Sequence, residues 1–456
     1  MKEEVRDQEI FLIFDGTTRL GEAFACVGRF VDDSFTVKQR LLSFKTLKQS
    51  MTGVQITFSV AQSLSEAGIP NENLLGTNRD GASVNEVAMS TLQEFRETNG
   101  CSAPFWNLKC LAHFLNLVGE RMSSNLARSF LAQWKSMMGH SVKARNLFRE
   151  VTGQSFISSS ATRWWSEWEQ VDQICALYPK ILDFLKHEDA PDSCKTIVSC
   201  SSFRSSVFPL VHHFSLWFQR DCAVLPKTQV QLACLHDYGE RFVKTCTKLE
   251  GDGPVVLEVF ELMEALKAQV TSPNFPSAHL IISQLKITSP YVNLKSSFDP
   301  ARDYFLANLP DMRLYRAAEY LNPVKVRILY CFRVFSFLFS CSLAEKRSPS
   351  CRSLPVASKS WERQETCKEN CLTTRPLPLD ASMGWTSWTG GRRMEPSSQP
   401  GELQQKKILC IAPTSAAAER VFSLLNGAVS DRQEGLLNDH LEAMLLLKFN
   451  EKKEEE

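Results

Sequence analysis

The sequence has no surplus of charge of either sign, since 52 lysines and arginines stand against 51 aspartates and glutamates for a formal charge of +1. Any attraction to nucleic acid or to an anionic membrane therefore has to come from a local patch. Long hydrophobic runs are missing as well. The most apolar stretch, Val334 to Leu343, has about ten residues, half of the roughly twenty that a membrane-spanning helix needs. We expect no membrane partner.

An apolar signal-peptide core is also missing, because the sequence opens with the charged residues MKEEVRDQEI. This opening predicts an intracellular protein that is not secreted, in which most of the 15 cysteines are free thiols. What the sequence does have is apolar material. Of its 456 residues 43% are hydrophobic and 10% aromatic, which is enough for one large core or two ordinary ones.

Hydrophobic periodicity predicts an antiparallel beginning followed by alternating strands and helices. The predicted strands are Glu9 to Phe14, Ala23 to Val31, Arg40 to Leu47, Asn73 to Asn78 and Leu108 to His113, and the predicted helices are Val54 to Ala67, one that opens at Asp80-Gly81, mainly helical sequence from Leu115 to about Asp189, and Val255 to Val270. This order is that of a ribonuclease-H-like domain. We therefore predict an α/β (α+β) fold with a mixed sheet that is split by a helical insertion.

Composition and periodicity divide the chain into five parts. They are residues 1–190, the first part of the ribonuclease-H-like domain; 191–326, the helical insertion; 327–407, a low-order linker rich in Ser, Pro, Arg and Gly; 408–450, a C-terminal helical segment; and 451–456, a charged tail. In the C-terminal segment Thr414 or Ser415 can cap one helix, which Asn426-Gly427 can end, and Asn438 can cap another.

Two aspartates come directly after predicted strands. If the strands before Asp15 and Asp80 are neighbours in one sheet, their carboxylates meet at its carboxyl edge, where two divalent cations about 3.5–4 Å apart could support phosphoryl transfer. A third carboxylate usually completes such a site, and Glu419 is a candidate. Each residue also has a simpler explanation, because Asp-Gly is a common turn and a glutamate in the first turn of a helix suits its dipole.

Several blocks resemble hAT-type DNA transposases, in the order of that family. They are DGTTRLGEA from Asp15, NRDGASVNEVAM from Asn78, CLAHFLNLVGE from Cys110, ATRWWSEWE from Ala161, and PTSAAAERVFSLLNGAVSDRQEGLLNDHLEAMLLLKFN from Pro413. The resemblance implies a ribonuclease-H-like catalytic core in which Asp15, Asp80 and Glu419 match the three acidic positions. It also implies that the C-terminal segment is a dimerisation segment.

Two further pairs of residues match the family's motifs. Cys110 and His113 match a Cys-x-x-His pair, but a closed zinc site takes four ligands, so a buried thiol and a core histidine remain the alternative. Arg163 and Trp164 match a basic residue followed by a tryptophan, which implies DNA binding by stacking on a flipped base. The neighbouring tryptophans leave core packing open as the other explanation for Trp164.

The apolar stripe of the C-terminal segment allows two interpretations that periodicity cannot separate, namely packing in the chain's own core and packing against a second copy. The resemblance favours the second. The residues concerned are Val421, Phe422, Leu424, Leu441, Met444 and Leu445.

These observations support two functional hypotheses. The first is a domesticated, non-mobilising protein that self-associates without a cofactor, with DNA as a further candidate partner, since no Cys-x-x-Cys with downstream histidines precedes Asp15. The second is an active transposase that uses Mg²⁺ or Mn²⁺ at Asp15, Asp80 and Glu419 to cleave and join DNA. Either predicts nuclear residence, otherwise cytoplasmic, and neither predicts a small-molecule substrate.

Overall fold

The computed structural model describes most of the chain. The described residues are 2–17, 22–47, 49–101, 103, 105–122, 124–158, 167–191, 224–286, 296–323, 325, 400–428 and 438–451. Nearly all of them belong to one unit, which consists of Met1–Asn322 together with Gln404–Glu456. The predicted DNA-binding residues Arg163 and Trp164, and most of the predicted linker, lie outside the described residues.

A five-stranded mixed sheet organises this unit, as predicted. Its strands are β1 (Ile10–Thr17), β2 (Glu22–Val31), β3 (Val37–Leu47), β4 (Leu74–Arg79) and β5 (Trp106–Lys109). They lie in the order β3-β2-β1-β4-β5. The pairs β1–β2 and β2–β3 are antiparallel, whereas β4 pairs in parallel with β1 and β5 pairs in parallel with β4. Antiparallel strands need only short turns, and each parallel strand is reached through a helix.

Helices surround the sheet and fill the rest of the unit. They are α1 (Lys2–Val5), α2 (Gly53–Ala67), α3 (Ser83–Thr98), α4 (Leu111–Glu120), α5 (Asn125–His140), α6 (Val142–Thr152), α7 (Trp168–Lys186), α8 (Val224–Leu249), α9 (Val259–Thr271), α10 (Pro276–Leu285), α11 (Asp299–Asn308), α12 (Arg313–Glu319), α13 (Pro400–Leu409), α14 (Ala416–Ala428) and α15 (Asn438–Asn450). No helix in the described part of the chain combines the length and hydropathy that crossing a bilayer requires.

The central strand β1 is apolar on both sides, because each face of the sheet is covered. Its alternating side chains divide between two cores: Phe11 and Ile13 belong to the larger one, and Ile10, Leu12 and Phe14 to the smaller. All five are essentially fully buried. A continuous apolar run of this kind is typical of a strand enclosed by two layers.

Helices α2 and α3 cover the smaller core. Helix α2 begins with a capping box in which Thr52 and Gln55 satisfy each other's backbone N–H groups. It ends at Gly68, whose φ of 73° lies in the left-handed region that glycine adopts without strain. The sequence predicts this helix to within one residue, because both of its ends are encoded by local signals.

Helices from α4 onward build the larger core on the other face. Trp134 is fully buried there, with its ring edge-on to Phe148 at 5.6 Å and to Phe184 at 5.7 Å between centroids. Where α7 meets α8, His236 stacks on Trp168. The His236 ring also lies 3.0 Å from Asp172 and 3.6 Å from Asp237. The hydrogen bond to Asp237 and, with a smaller effect, the hydrogen bond to Asp172 raise the pKa of His236.

One predicted strand is only partly correct. Leu108 to His113 is predicted as a strand, but β5 ends at Lys109 and α4 begins at Leu111. Cys110 is the N-cap residue of α4, since its sulfur accepts a hydrogen bond from the backbone N–H of His113 at 3.4 Å. Cysteine is not among the usual capping residues, so the boundary carries no local signal in the sequence. Likewise, the helix predicted from Val255 to Val270 starts later than predicted, because Val255–Leu257 form a short 3₁₀ turn and α9 begins at Val259.

The C-terminal helices pack on the sheet of the same chain. Helix α14 contacts β1 and β2, and α15 contacts the edge strand β3. At the end of α15 the amide of Asn450 accepts a hydrogen bond from Leu41 N–H at 2.8 Å and donates one to the Leu41 carbonyl at 3.0 Å. One side chain thus occupies backbone groups that an edge strand would otherwise expose.

Candidate functional site

The parallel pair β1 and β4 brings the two predicted aspartates to the same edge of the sheet. Ile13 lies opposite Asn78 in the register, so two residues further along each chain Asp15 is level with Asp80. Asp15 shares the face of Ile13, because side chains alternate along a strand. That face points into the larger core, on which α14 packs.

The two carboxylates take part in local hydrogen bonds. Oδ1 of Asp80 accepts from the backbone N–H of Ala82 at 3.0 Å and from Nδ2 of Asn85 at 2.6 Å. Oδ1 of Asp15 accepts from the backbone N–H of Gly16 at 2.8 Å. Asp80 therefore holds the turn that leads from β4 into α3, which is the simpler role that its Asp-Gly sequence also predicts.

Glu419 lies in the first turn of α14, the helix that packs on β1. Its backbone N–H donates to the carbonyl of Ser415 at 3.3 Å, and the residue is half-buried. Within the described residues, no three His, Cys, Asp or Glu side chains form a group that could hold a metal ion. The structure thus brings the helix of Glu419 against the strand of Asp15, and a Mg²⁺ or Mn²⁺ site at the three carboxylates stays a prediction.

Cys110 connects the start of α4 to the C-terminal segment through hydrogen bonds to its sulfur. Its sulfur accepts hydrogen bonds from His113 N–H and, at 3.2 Å, from Ser415 N–H. The thiol is fully buried, and burial raises its pKa, with a further contribution from the charge of Asp15. Of the two interpretations of the Cys-x-x-His pair, Cys110 fits the buried thiol, while His113 is half-buried.

The residues before α14 are held from three directions. Nδ2 of Asn78 donates to the carbonyl of Ala412 at 3.0 Å, the N–H of Leu111 donates to the carbonyl of Pro413 at 3.0 Å, and Oγ1 of Thr414 donates to the carbonyl of Leu249 at 3.2 Å. These bonds fix the segment to β4, to α4 and to α8. Residues far apart in sequence therefore meet beside the carboxyl edge of the sheet.

Two arginines that the sequence did not predict as site residues donate hydrogen bonds to the loop that follows α8. Arg29, near the end of β2, is 1% exposed and donates to the carbonyls of Asp252 at 3.1 Å and Gly253 at 2.6 Å. Arg420, on α14, donates to the carbonyl of Glu250 at 3.1 Å and to the Asp252 carboxylate. Burial lowers the pKa of Arg29 to about 10. The only signal in the sequence is a charged residue inside the apolar strand AFACVGRFV.

Most of the predicted dimerisation residues are internal to this chain. Val421, Phe422, Leu441 and Leu445 are each less than 9% exposed and belong to the larger core. Met444 is half-buried against it, and Leu424 is 36% exposed. The core-packing interpretation therefore describes the four buried residues. Leu447, which was not predicted, is 67% exposed on the same segment.

A scan against models of protein families and a search of curated proteins each found no match for this chain. The class that the structure defines is a mixed α/β protein with a five-stranded sheet enclosed by helices. Its candidate site is the carboxyl edge of β1 and β4, where Asp15, Asp80 and the segment before α14 come together.

Proposed function

We propose that this chain is a hAT-transposase-like protein with a ribonuclease-H-like core, and that its function is self-association through its C-terminal helices rather than DNA strand transfer. The observation that carries the proposal is the return of α14, which holds the ERVFSLL block, onto β1 and β2. The last block of the resemblance thus packs beside the first, as a sheet split by a helical insertion requires. The element order of the first five strands is a second support.

Exposed leucines on the two C-terminal helices provide the surface for a second copy. The buried residues of α14 and α15 complete this chain's own core, whereas Leu424 and Leu447 remain 36% and 67% exposed. Large apolar side chains left in water on such a segment favour association. Oδ1 of Asp80 is meanwhile engaged in holding a turn, which gives that aspartate a structural role that does not depend on catalysis.

Light scattering on the intact chain tests the self-association. The native protein is expected to form a dimer or larger assembly that Leu424→Asp with Leu447→Asp reduces to a monomer. Both sites are exposed, so the double variant is expected to fold. Leu280→Asp is a matched control, because Leu280 is a leucine of α10 that is 59% exposed and does not belong to the C-terminal segment. The proposal is contradicted if the native protein is a monomer, or if the double variant assembles to the same molar mass as the native protein.

A second candidate function is metal-dependent DNA cleavage and joining. It is favoured by the level position of Asp15, on β1, and Asp80, just after the parallel neighbour β4. Nicking of supercoiled plasmid in Mn²⁺ or Mg²⁺ is the assay. Asp80→Asn is the informative variant, because its remaining oxygen can still accept from Ala82 and Asn85 while the charge is gone. Nicking that Asp80→Asn abolishes and Glu97→Gln preserves supports the enzyme, and nicking that Asp80→Asn leaves unchanged contradicts it.

A further inference from the structure

His236 lies between two carboxylates where α7 packs on α8. Its Nε2 is 3.0 Å from Oδ1 of Asp172, on α7, and its Nδ1 is 3.6 Å from Oδ1 of Asp237, on α8. The ring stacks on Trp168 with 5.4 Å between centroids, and Nε1 of Trp168 donates to the carbonyl of His236 at 3.2 Å. These contacts tie the start of α7 to the middle of α8.

The protonation state of the ring decides how many carboxylates it can hold. A charged imidazole carries an N–H on each nitrogen, whereas a neutral one has a single N–H and, on its other nitrogen, a lone pair. That lone pair cannot donate to a carboxylate. Only the charged form of His236 can therefore bind Asp172 and Asp237 together.

The two carboxylates differ in what else holds them. The Asp237 side chain is 5% exposed, and its Oδ2 accepts from the backbone N–H groups of Ser277 at 2.9 Å and Ala278 at 3.3 Å, at the start of α10. The Asp172 side chain is 53% exposed. A carboxylate in water loses little when its partner leaves, whereas a buried one needs its donors. A neutral His236 ring is therefore expected to keep its one N–H on Asp237 and to release Asp172.

The neighbouring ionisable groups keep their charge state while the ring titrates. Burial raises the pKa of the Cys175 thiol, on α7, and of the Cys234 thiol, on α8, and the nearby aspartates add to the effect, so both thiols stay neutral. The pKa of Asp237 is lowered in spite of its burial, because the imidazole and the N–H groups of α10 favour the charged carboxylate. One turn further along α8, Glu240 is paired with Lys244 at 2.6 Å.

We propose that His236 is a proton-dependent latch, which is closed when the charged ring binds Asp172 and Asp237 and open when the neutral ring releases Asp172 and loosens the start of α7. The direction with pH follows from the two carboxylates, Asp237 first, which raise the pKa of His236 in spite of its burial. The latch is therefore closed below about pH 6.5 and opens as pH rises through the higher folded value.

Opening of the latch is a local change that reaches the residues after α6. Nε2 of Gln170 donates to the carbonyl of Ile157 at 2.9 Å, and Oε1 of Gln173 accepts from the N–H of Ile157 at 3.2 Å. The first turns of α7 thus hold that segment. Val171 and Ile174 remain in the larger core, so the helix loosens at its start without leaving the fold. The latch is separate from the self-association proposed above, which uses α14 and α15.

Hydrogen exchange followed by mass spectrometry on the full chain tests the latch. After correction for intrinsic exchange rates, the amides of residues 168–173 are expected to be protected at about pH 6 and to lose protection at about pH 9. Asp172→Asn is expected to remove this response, because α7 then has no charge for the ring to bind. Asp183→Asn is the matched control, since Asp183 is an exposed aspartate of the same helix, and it is expected to respond as the native protein does.

A second measurement follows the ring itself. In proteins with ¹³C-labelled histidine, the NMR titration midpoint of His236, assigned by its absence in His236→Gln, is expected to fall in Asp172→Asn and to stay unchanged in Asp183→Asn. The proposal is overturned if residues 168–173 are equally protected at both pH values in the native protein, or if Asp172→Asn leaves the exchange response or the midpoint unchanged. Protection lost equally from α2 at about pH 9 would also overturn it, because the whole fold would then be opening.

Discussion

Replacing Asn450 with alanine is the sharpest test of how the C-terminal helix joins the sheet. The amide of Asn450 makes two hydrogen bonds to the backbone of Leu41, at 2.8 Å and 3.0 Å, on the edge strand β3. A neutral hydrogen bond contributes about 0.5–1.5 kcal/mol net, so the loss of both is expected to cost about 1–3 kcal/mol. Urea unfolding followed by circular dichroism measures this as a lower midpoint at an unchanged slope.

Two companion variants make the result specific. Asn450→Asp keeps an acceptor for the Leu41 N–H but sets a carboxylate against the Leu41 carbonyl, so it is expected to destabilise at least as much as Asn450→Ala. Lys448→Ala changes an exposed residue of the same helix and is expected to stay within about 0.5 kcal/mol of the native protein. An Asn450→Ala variant as stable as Lys448→Ala would refute the docking of α15 on β3.

Four other substitutions are expected to separate structural contacts from exposed sites. Leu445→Ala, at a fully buried site, is expected to lower the free energy of unfolding by about 2–5 kcal/mol. Leu306→Ala, at a leucine of α11 that is 45% exposed, is expected to lower it by less than about 0.5 kcal/mol, and similar urea midpoints for the two variants would contradict this. Arg29→Met is expected to cost about 1–3 kcal/mol, because two loop carbonyls lose their donor, and an unchanged midpoint would count against the arginine contact. The raised pKa of His236 means that its stabilisation is complete below about pH 6.5 and is lost as pH rises through the higher folded value. His236→Gln should therefore destabilise more at pH 6 than at pH 9, as urea midpoints at both pH values would show.

Local signals made much of the fold predictable. Helix α2 is bracketed by the Thr52 capping box and by Gly68, and the apolar run of β1 is a strand that is buried on both faces. Helix α15 begins at Asn438, next to the predicted start of that helix. The carboxyl edge that Asp15 and Asp80 share also follows from strand order, because parallel neighbours end at the same edge.

Long-range contacts were not predictable in the same way. Arg29 meets a loop 223 residues away, and Asn450 meets Leu41 across 409 residues. No local pattern in the sequence predicts either contact. The partner of the apolar stripe on the C-terminal helices was not predictable either. The helical spacing of apolar residues such as Val421 and Leu445 is the same whether the stripe packs in this chain's core or against a second chain. Only the fold assigns them to the chain's own core.

The molar mass of the native chain in solution, measured by light scattering over a series of concentrations, tests the central claim most directly. Self-association through the C-terminal helices predicts at least twice the 51.6 kDa of a single chain, with monomer appearing only on dilution. A mass of 51.6 kDa at every concentration would contradict the proposed function.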